Sequence, residues 1–281
     1  MVYSEGYMLE THGASKETTQ QEDPRVTELA AELHSRLIAV LPNLPDDNKT
    51  SADLLNLAHQ LAKEQVALKE ENTRLQQLID RDPYNDEIYS AIGWNRVMKD
   101  KLAKLRRDKQ GAVLIAFDLD HFGDYNDIQK SHIEGDMALG LAGQLAKSVL
   151  RPTDLIARLH GDEFEVLVDT DLETAILIAE RMRKAISGMS VLLKTSIPLS
   201  ASFGIVRLDR SIIETQYRSD EERSNALDQA YKLADHVQYV GAKEVGRNSI
   251  GVMLDSGKIQ TAIVNVIGVA DPHPTISYRE P

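Results

Sequence analysis

Cysteine is absent from the 281 residues, and this absence excludes disulfide bonds, thiolate metal sites and a cysteine nucleophile. The sequence therefore gives no reason to expect an oxidising compartment, and we expect a cytoplasmic protein. Long apolar runs are also missing: no stretch approaches about 18 consecutive apolar residues, so we expect no membrane span. The N-terminal segment lacks the basic stretch followed by an apolar stretch that marks a secretion signal.

Positive charge is in deficit, with 32 Lys and Arg residues against 44 Asp and Glu residues and a formal net charge of -12. The excess of acidic residues repels a polyphosphate backbone and argues against nucleic acid or an anionic membrane as the partner. A small anionic ligand is compatible with the charge if metal ions and a few cations neutralise it. Hydrophobic residues make up 42% of the chain, which is typical of a globular protein with a buried core.

The N-terminal part is predicted to contain a tail and two helices. Residues 1–23 are polar and aperiodic, so we expect a flexible tail. From Pro24 to Leu41 apolar residues recur every three or four positions, which predicts an amphipathic helix. A second helix is predicted to begin near Ser51 and to end near residue 79.

Leucine recurs at every seventh position of this second helix. The repeat consists of Leu54, Leu61, Leu68 and Leu75. Gln65 and Asn72 occupy seam positions between the leucines, a pattern typical of a parallel two-stranded coiled coil whose register is set by polar residues. The alternative is a helix that packs on its own domain. A coiled coil would hold two copies of the following domain side by side.

From residue 80 onwards predicted strands and helices alternate. Residues 84–108 are predicted to be helical, and the wholly apolar run at 111–117 is predicted to form a buried central strand. Further strands are predicted at 155–159, 164–168, 199–207 and 248–253, and further helices at 134–149, 172–187 and 221–241. This order indicates an α/β domain with one sheet and a tight hairpin at its centre.

Two acids follow the apolar strand. If the strand continues through Asp118 and Asp120, their side chains point to the same face, at a strand end where α/β sheets bind ligands. Two carboxylates in that position suit Mg²⁺ together with substrate phosphates. The alternative is a solvated turn with no ligand.

Two other short motifs carry charged residues. The sequence HGDEF at 160–164 lies between two apolar runs and predicts a hairpin with Asp162 and Glu163 at its tip, unless this is an ordinary exposed turn. Lys243 and Arg247 are four residues apart and would share a face at the end of a helix. They could clamp a phosphate, although the spacing is also common on protein surfaces.

Five separated motifs resemble, in order, those of the GGDEF family of diguanylate cyclases. The matching segments are DLDHF with Asn126 and Asp127, HIEGD at 132–136, HGDEF at 160–164, SFG at 202–204, and Ala234-Asp235 with Tyr239, Ala242, Lys243, Gly246, Arg247 and Asn248. The resemblance covers about residues 80–253.

The resemblance implies an α/β (α+β) fold like that of nucleotidyl cyclases and polymerase palm domains. Its central, mainly antiparallel sheet would be flanked by helices and preceded by the helical, coiled-coil region. The chain would then consist of the tail at 1–23, a dimerising region at 24–79, the GGDEF catalytic domain at 80–253, and an extension of unknown role at 254–281.

The resemblance also implies a metal site for the triphosphate of GTP. Asp118, the backbone carbonyl of Leu119, Asp162 and Glu163 would hold two Mg²⁺ ions, with Mn²⁺ as an alternative. The 3′-hydroxyl of one GTP would attack the α-phosphate of a second, and either Asp162 or Glu163 would take the proton. Repetition of the step would close cyclic di-GMP and release two pyrophosphates.

Other matched positions imply contacts to the nucleotide. Asn126 and Asp136 would hydrogen-bond guanine, with His132 between them in the motif. Asp136 would accept from guanine N1–H and N2–H₂, which adenine cannot reproduce, so GTP is expected rather than ATP and a different cyclic dinucleotide is disfavoured. Lys243 and Arg247 would neutralise the phosphates.

Dimerisation and feedback follow from the same resemblance. Each domain would bind one GTP, so two domains must face each other, and the coiled coil would supply that homodimer. Arg151 and Asp154 resemble an R-x-x-D site at which cyclic di-GMP inhibits the enzyme; the alternative is a surface ion pair. We expect control through dimerisation or a regulatory protein at the N-terminal helices.

Two departures from the family pattern bear on activity. His160 replaces the first glycine of the name-giving motif, and a side chain there is costly if the position needs a positive φ. Gly123 stands where the family commonly has lysine. The alternative function is therefore a non-catalytic receptor that binds cyclic di-GMP or GTP and signals through its helical region.

Overall fold

The computed structural model describes residues 23–40, 48–129, 132–215, 219–265 and 274–281. The predicted flexible tail lies outside these ranges except for its last residue, as does the proline-containing connector at 41–47. The chain forms two compact units, Met1–Leu75 and Gln76–Pro281. None of the described helices combines the length and apolar character that a membrane crossing requires.

The N-terminal unit contains the two predicted helices, α1 (Pro24–Val40) and α2, which begins at Asn48 and continues to Asp80. Small and β-branched residues close the contact between them: Val26, Ala30 and Ala62 are buried together. Arg25 adds ion pairs to Asp23 and Glu70, both at 2.5 Å on the exposed side of the pair. Packing within the unit therefore uses the alanine face of α2.

The heptad leucines lie on a different face of α2. Leu61, Leu68 and Leu75 are 41%, 64% and 46% exposed in the single chain. These three leucines are therefore accessible, whereas Leu54 is half-buried, and the coiled coil stays a prediction.

The larger unit is built on one sheet with helices on both faces. Its strands are β1 (Arg81–Asp82), β2 (Asn85–Ser90), β3 (Val113–Asp120), β4 (Leu155–His160), β5 (Glu163–Val168), β6 (Ser200–Arg207), β7 (Ile250–Met253), β8 (Ile259–Asn265) and β9 (Thr275–Arg279). Its helices are α3 (Ala91–Asp108), α4 (Phe122–Gln129), α5 (His132–Val149), α6 (Leu172–Ser187), α7 (Met189–Leu192), α8 (Arg210–Glu214) and α9 (Asp220–Gln238), and α9 is followed by a π-helical turn at Tyr239–Lys243.

The sheet is mainly antiparallel, as expected. Across the described strands the order is β1-β2-β4-β5-β3-β6-β7-β8-β9, and the pairs are antiparallel except β2 with β4 and β6 with β7. β3 is central because its run of apolar residues can be buried on both faces. Ile115 and Phe117 pack towards α5 and α6, whereas Leu114 and Ala116 pack towards α3 and α9.

The prediction of helix over 84–108 is wrong in its first part. Residues 85–90 form β2, which pairs in parallel with β4, and the helix begins at Ala91. The Ser90 hydroxyl caps it by accepting from the backbone N–H of Gly93 at 3.1 Å. The polar sequence of β2, NDEIYS, hid the strand, because only Ile88 of its residues is buried.

The C-terminal extension continues the sheet. β8 pairs antiparallel with β7, and β9 pairs with β8. Gly241 and Gly251 allow this region to close against the π-helical turn, because a Cβ on Gly241 would lie 2.5 Å from the Cα of Gly251. Residues beyond 253 thus include two strands of the same sheet.

The exposed leucine seam leads to a prediction about oligomeric state. Leu68→Lys places a charge in the predicted seam and should shift the protein to monomer in sedimentation equilibrium, because an unpaired ammonium there costs several kcal/mol. Gln77→Lys adds the same charge outside the seam and should leave the dimer intact. Equal behaviour of the two variants would contradict a coiled coil.

Candidate functional site

Register in the sheet brings the predicted acids together. Asp118 at the end of β3 lies opposite Glu163 at the start of β5 and opposite Ser202 on β6. Side chains directly opposite in an antiparallel pair have Cβ atoms about 5 Å apart. Asp162, in the turn before Glu163, is close enough for its charge to raise the pKa of Asp118. Three of the predicted acids therefore share one end of the central strands.

The hairpin turn has its positive φ at Gly161 and not at His160. Gly161 has a φ of +50°, a conformation that favours glycine, whereas His160 has no positive φ. His160 is exposed and ends β4. The replacement of the first motif glycine by histidine therefore carries no backbone penalty.

Arg158, which is half-buried, holds the hairpin turn in place. Arg158 donates to the carbonyl of Gly161 at 2.9 Å and pairs with Asp82 at 2.7 Å. Asp82 is buried, and the ring of Tyr84 lies 4.9 Å from the Arg158 guanidinium. The short segment around β1 thus fixes the position of the hairpin acids.

Lys243 forms an ion pair with one carboxylate oxygen of Asp118, Oδ2. The other oxygen, Oδ1, is buried and has no hydrogen-bond partner. Burial is the main cause that raises the pKa of Asp118 to about 6; the charges of Asp162 and Asp120 act in the same direction, and Lys243 opposes the shift. A buried carboxylate oxygen with an unused lone pair next to other acids suits a hard divalent cation.

The side chains alone do not form a complete metal site. Within the described ranges, no group of three or more His, Cys, Asp or Glu residues is arranged to hold a metal ion. A cation bound at Asp118 therefore needs oxygen atoms from the backbone or from a ligand, which fits a site that binds metal together with phosphate.

Asp120 has a different role from Asp118, although the two share a face of the strand. It is buried and accepts from the hydroxyls of Ser200 and Ser202 at 2.6 and 2.7 Å and from the backbone N–H of Asn248 at 2.9 Å. These bonds fix the loop after the π-helical turn. The alternation of Ser200 and Ser202 on the facing strand was the sequence signal for this role.

The interpretation of Lys243 and Arg247 as neighbours on a helix face is wrong. α9 ends at Gln238, Lys243 is the last residue of the π-helical turn, and Arg247 has a φ of +64° in the following loop. Both cations nevertheless face adjacent acids: Lys243 pairs with Asp118, and Arg247 lies 3.7 Å from Asp120. The strand end thus carries two cations beside its acids.

The residues predicted to contact guanine lie on α4 and α5. These helices pack closely because Gly135 has no side chain: a Cβ there would lie 2.3 Å from Oδ1 of Asn126. That oxygen is buried without a hydrogen-bond partner. Asp136, half-buried, accepts from the hydroxyl of Tyr84, and this bond raises the pKa of Tyr84. His132 is exposed at the first position of α5.

The predicted inhibitory pair forms a closed turn. Asp154 is buried, and its carboxylate accepts from the backbone N–H of Arg151 at 2.9 Å. The backbone N–H of Asp154 in turn donates to the carbonyl of Arg151 at 3.0 Å. The Arg151 side chain is exposed. The acid therefore shapes the turn and the arginine projects from it, which differs from a simple surface ion pair.

The sequence matches the GGDEF domain of diguanylate cyclases over residues 87–249. The chain therefore belongs to the GGDEF family of diguanylate cyclases, which confirms the resemblance found in its motifs.

Curated relatives resemble parts of this chain. The uncharacterized protein YhcK of Bacillus subtilis is 37% identical over 139 residues, covering 49% of this chain and 35% of its own length. The probable diguanylate cyclase DgcC of Escherichia coli is 29% identical over 182 residues, covering 64% and 45%. The cyclic di-GMP phosphodiesterase NbdA of Pseudomonas aeruginosa is 29% identical over 163 residues, covering 58% and 19%. The chain spans less than half the length of these relatives.

Two solved structures share the fold. The coiled coil and GGDEF domain of DgcB from Caulobacter crescentus, in complex with c-di-GMP, has a TM-score of 0.55 and 17% identity, covering 70% of this chain and 97% of that one. The diguanylate cyclase SiaD from Pseudomonas aeruginosa, in complex with its activator SiaC, has a TM-score of 0.53 and 23% identity, covering 81% and 83%. These similarities confirm the predicted fold class.

The raised pKa of Asp118 predicts a pH-dependent stability in the metal-free protein. The ordinary pKa is 3.8 and the folded value is about 6, so the folded state holds a proton that the unfolded state releases. This contribution to stability is fully present below about pH 3.8 and is lost as the pH rises through 6, which amounts to up to about 3 kcal/mol. Asp118→Asn should lack it.

The measurement is urea unfolding of wild type and Asp118→Asn between pH 4 and 7 in the presence of EDTA. The free energy of unfolding of the wild type should fall relative to that of the variant across this range. Parallel pH profiles would show that the carboxyl group has an ordinary pKa.

Proposed function

We propose that this chain is a diguanylate cyclase, which condenses two GTP into cyclic di-GMP and two pyrophosphates as a dimer with one GTP per subunit. The observation that carries the proposal is the pairing of β3 with β5, which sets Asp118 opposite Glu163 and near Asp162. Acids gathered in this way repel one another unless a cation joins them. Membership of the GGDEF family supports the same function.

Asp118, Asp162, Glu163 and the carbonyl of Leu119 would hold Mg²⁺, or Mn²⁺, at the strand end. The free Oδ1 of Asp118 is the oxygen best placed to bind it. A bound divalent cation neutralises the triphosphate and makes the α-phosphate more electrophilic. The incomplete set of side-chain ligands fits this role, because phosphate oxygens of GTP would complete the coordination.

Asp136 on α5 and Asn126 on α4 would bind guanine. The carboxylate of Asp136 accepts two hydrogen bonds, as guanine N1–H and N2–H₂ require, and the Tyr84 hydroxyl holds it in place. Asn126 would add its unpartnered amide oxygen, and His132, exposed at the first position of α5, would lie beside the base. Adenine has neither N1–H nor N2–H₂ and cannot reproduce the pairing with Asp136, which favours GTP.

Lys243 and Arg247 would neutralise the phosphates. Lys243 already pairs with Oδ2 of Asp118, the carboxylate whose other oxygen would bind the metal ion. Its ammonium group would therefore contact both the acid and a phosphate group. Arg247 lies farther along the same end of the sheet, 40% exposed, so its guanidinium can reach a ligand from solvent. These cations compensate for the absence of lysine at Gly123.

Glu163 is the candidate we favour as general base. The 3′-hydroxyl comes from the GTP on the second subunit, so the base must be accessible from outside the subunit. Glu163 is exposed, whereas Asp162 is half-buried. Its carboxylate would take the proton of the hydroxyl as the bond to phosphorus forms.

The leucine seam of α2 would form the dimer, and a regulatory protein would bind at the N-terminal helices. The DgcB structure includes a coiled coil together with its GGDEF domain, and the SiaD structure includes an activator protein. By analogy, a regulatory protein would act on the helical region here and change how often two GTP-loaded domains meet.

The decisive experiment separates cyclase activity from nucleotide binding alone. The purified protein is incubated with GTP and Mg²⁺, and the nucleotides are resolved by chromatography with mass detection. Wild type should form cyclic di-GMP and pyrophosphate, whereas Glu163→Gln should lose about a hundredfold or more of the rate. Glu173→Gln, an equal charge change on the exposed start of α6, should retain activity.

No product from a folded dimer that retains cyclic di-GMP would overturn the cyclase and support a non-catalytic receptor. NbdA, a relative named for cyclic di-GMP breakdown, shows why the product must be identified and not inferred from similarity.

Feedback at the R-x-x-D turn gives a second prediction. Arg151→Ala should relieve inhibition by added cyclic di-GMP without loss of the initial rate, because Arg151 projects from a turn that the Asp154 carboxylate closes without its guanidinium. Inhibition curves for wild type, Arg151→Ala and the surface control Arg181→Ala are compared. Unchanged inhibition in Arg151→Ala would rule out this site.

A further inference from the structure

A cavity of about 460 Å³ lies between the sheet, α3 and α9. Its walls are residues of α3, α9 and the strands β3, β4 and β5, and they include none of the residues predicted to contact guanine. Its volume is within the range of small-ligand pockets in proteins. Of the residues assigned to nucleotide and metal above, only Glu163 lines this cavity.

The cavity is strongly acidic. Its lining includes Glu163, Glu165, Asp228 and Asp235 against a single lysine, Lys232. Asp228 and Asp235 are exposed on α9, at the solvent side of the cavity, whereas Glu165 is buried on β5 with 6% exposure. The acids thus lie at two depths.

Glu165 is the unusual member of this set. Its Oε2 atom is buried and makes no hydrogen bond. A carboxyl group removed from water without a donor is destabilised in its charged form, so a cationic donor that reaches it would gain a strong interaction. The cavity beside it is the space from which such a group can approach.

Aromatic rings form another part of the wall. Trp94 and Tyr231 line the cavity, whereas the rings of Phe117 and Phe164 stack on the other face of the sheet. The indole Nε1–H of Trp94 donates to the Tyr231 hydroxyl at 2.8 Å, which fixes both rings. Aromatic faces combined with carboxylates are the recognition elements for organic ammonium groups.

We infer that this cavity binds a linear polyamine, with one ammonium group at Glu165 and another at the exposed acids of α9. The alkyl chain between the two charges would lie along the aromatic wall. A bare metal ion would gain nothing from the rings, and no described residues form a three-ligand metal cluster here. Because Glu163 also lines the cavity, an occupant would change the electrostatic environment of the hairpin acids.

The test uses the full chain, spermidine as the probe and tryptophan fluorescence as the readout. The sequence contains one tryptophan, Trp94, and it lies in the cavity wall, so the signal reports this site. Spermidine should give a saturable change. Glu165→Gln should weaken binding about tenfold or more, as expected for loss of a buried charge partner.

Glu221→Gln is the matched control, because it removes the same charge from the first turn of α9 but lies outside the cavity lining. It should change the dissociation constant less than about twofold, as an exposed charge does. If Glu165→Gln does not fold, Asp235→Asn replaces it and should weaken binding about threefold.

Absence of a saturable signal would overturn the proposal. So would equal weakening by Glu165→Gln and Glu221→Gln, which would indicate general attraction to an acidic protein. A Glu165-dependent response to Mn²⁺ that spermidine does not displace would identify a metal site in its place. None of these readouts requires cyclase activity, so they stand or fall apart from the proposed enzyme function.

Discussion

The carboxylate of Asp120 ties three parts of the chain together at the edge where the candidate site is formed. It lies at the end of β3, binds two serine hydroxyls of β6, and accepts the backbone N–H of Asn248. The last bond matters most, because Gly246, Arg247 and Asn248 all have positive φ. Non-glycine residues adopt this conformation at a cost, so the loop needs an external anchor. With that anchor, Lys243 and Arg247 are held beside the acids of the strand end.

The second constraint is the brace behind the hairpin. Arg158 connects Asp82 with the carbonyl of Gly161, and Tyr84 contacts both Arg158 and Asp136. Two halves of the candidate site, the hairpin acids and the guanine acceptor, are therefore positioned by one short segment. A displacement of this segment would be felt at both places, because each contact is a short polar bond or a ring against a cation.

The sequence predicted the central strand, the hairpin and most helices because apolar runs ended at glycine, acids or caps. β3 is an example, because burial on both faces leaves its residues apolar without interruption from Val113 to Phe117. It did not predict β2, whose polar residues are typical of a loop, nor α4, which starts directly after a strand. The π-helical turn was missed for a similar reason, since periodicity cannot reveal one extra residue in the last turn.

The sequence predicted which acids share the candidate site, but not the contacts of each acid. Motif spacing identified Asp118, Asp162 and Glu163, but not which acid keeps a free oxygen. That distinction between Asp118 and Asp120 depends on hydroxyl groups from a strand eighty residues away. Glu165 precedes the last three residues of β5, which are apolar. Only the packing of α3 and α9 against the sheet shows that its Oε2 atom has no hydrogen-bond partner and that it lies beside a cavity.

The two strands after residue 253 have a consequence for solubility. β7 has the sequence IGVM and is largely buried, and without β8 its backbone N–H and C=O groups would form an open, apolar edge. Such edges pair readily with other chains. In this protein the strand at that edge of the sheet is β9. It is short, and its residues are mostly exposed. The extension thus replaces an apolar border, which would be prone to aggregation, with a mostly exposed strand.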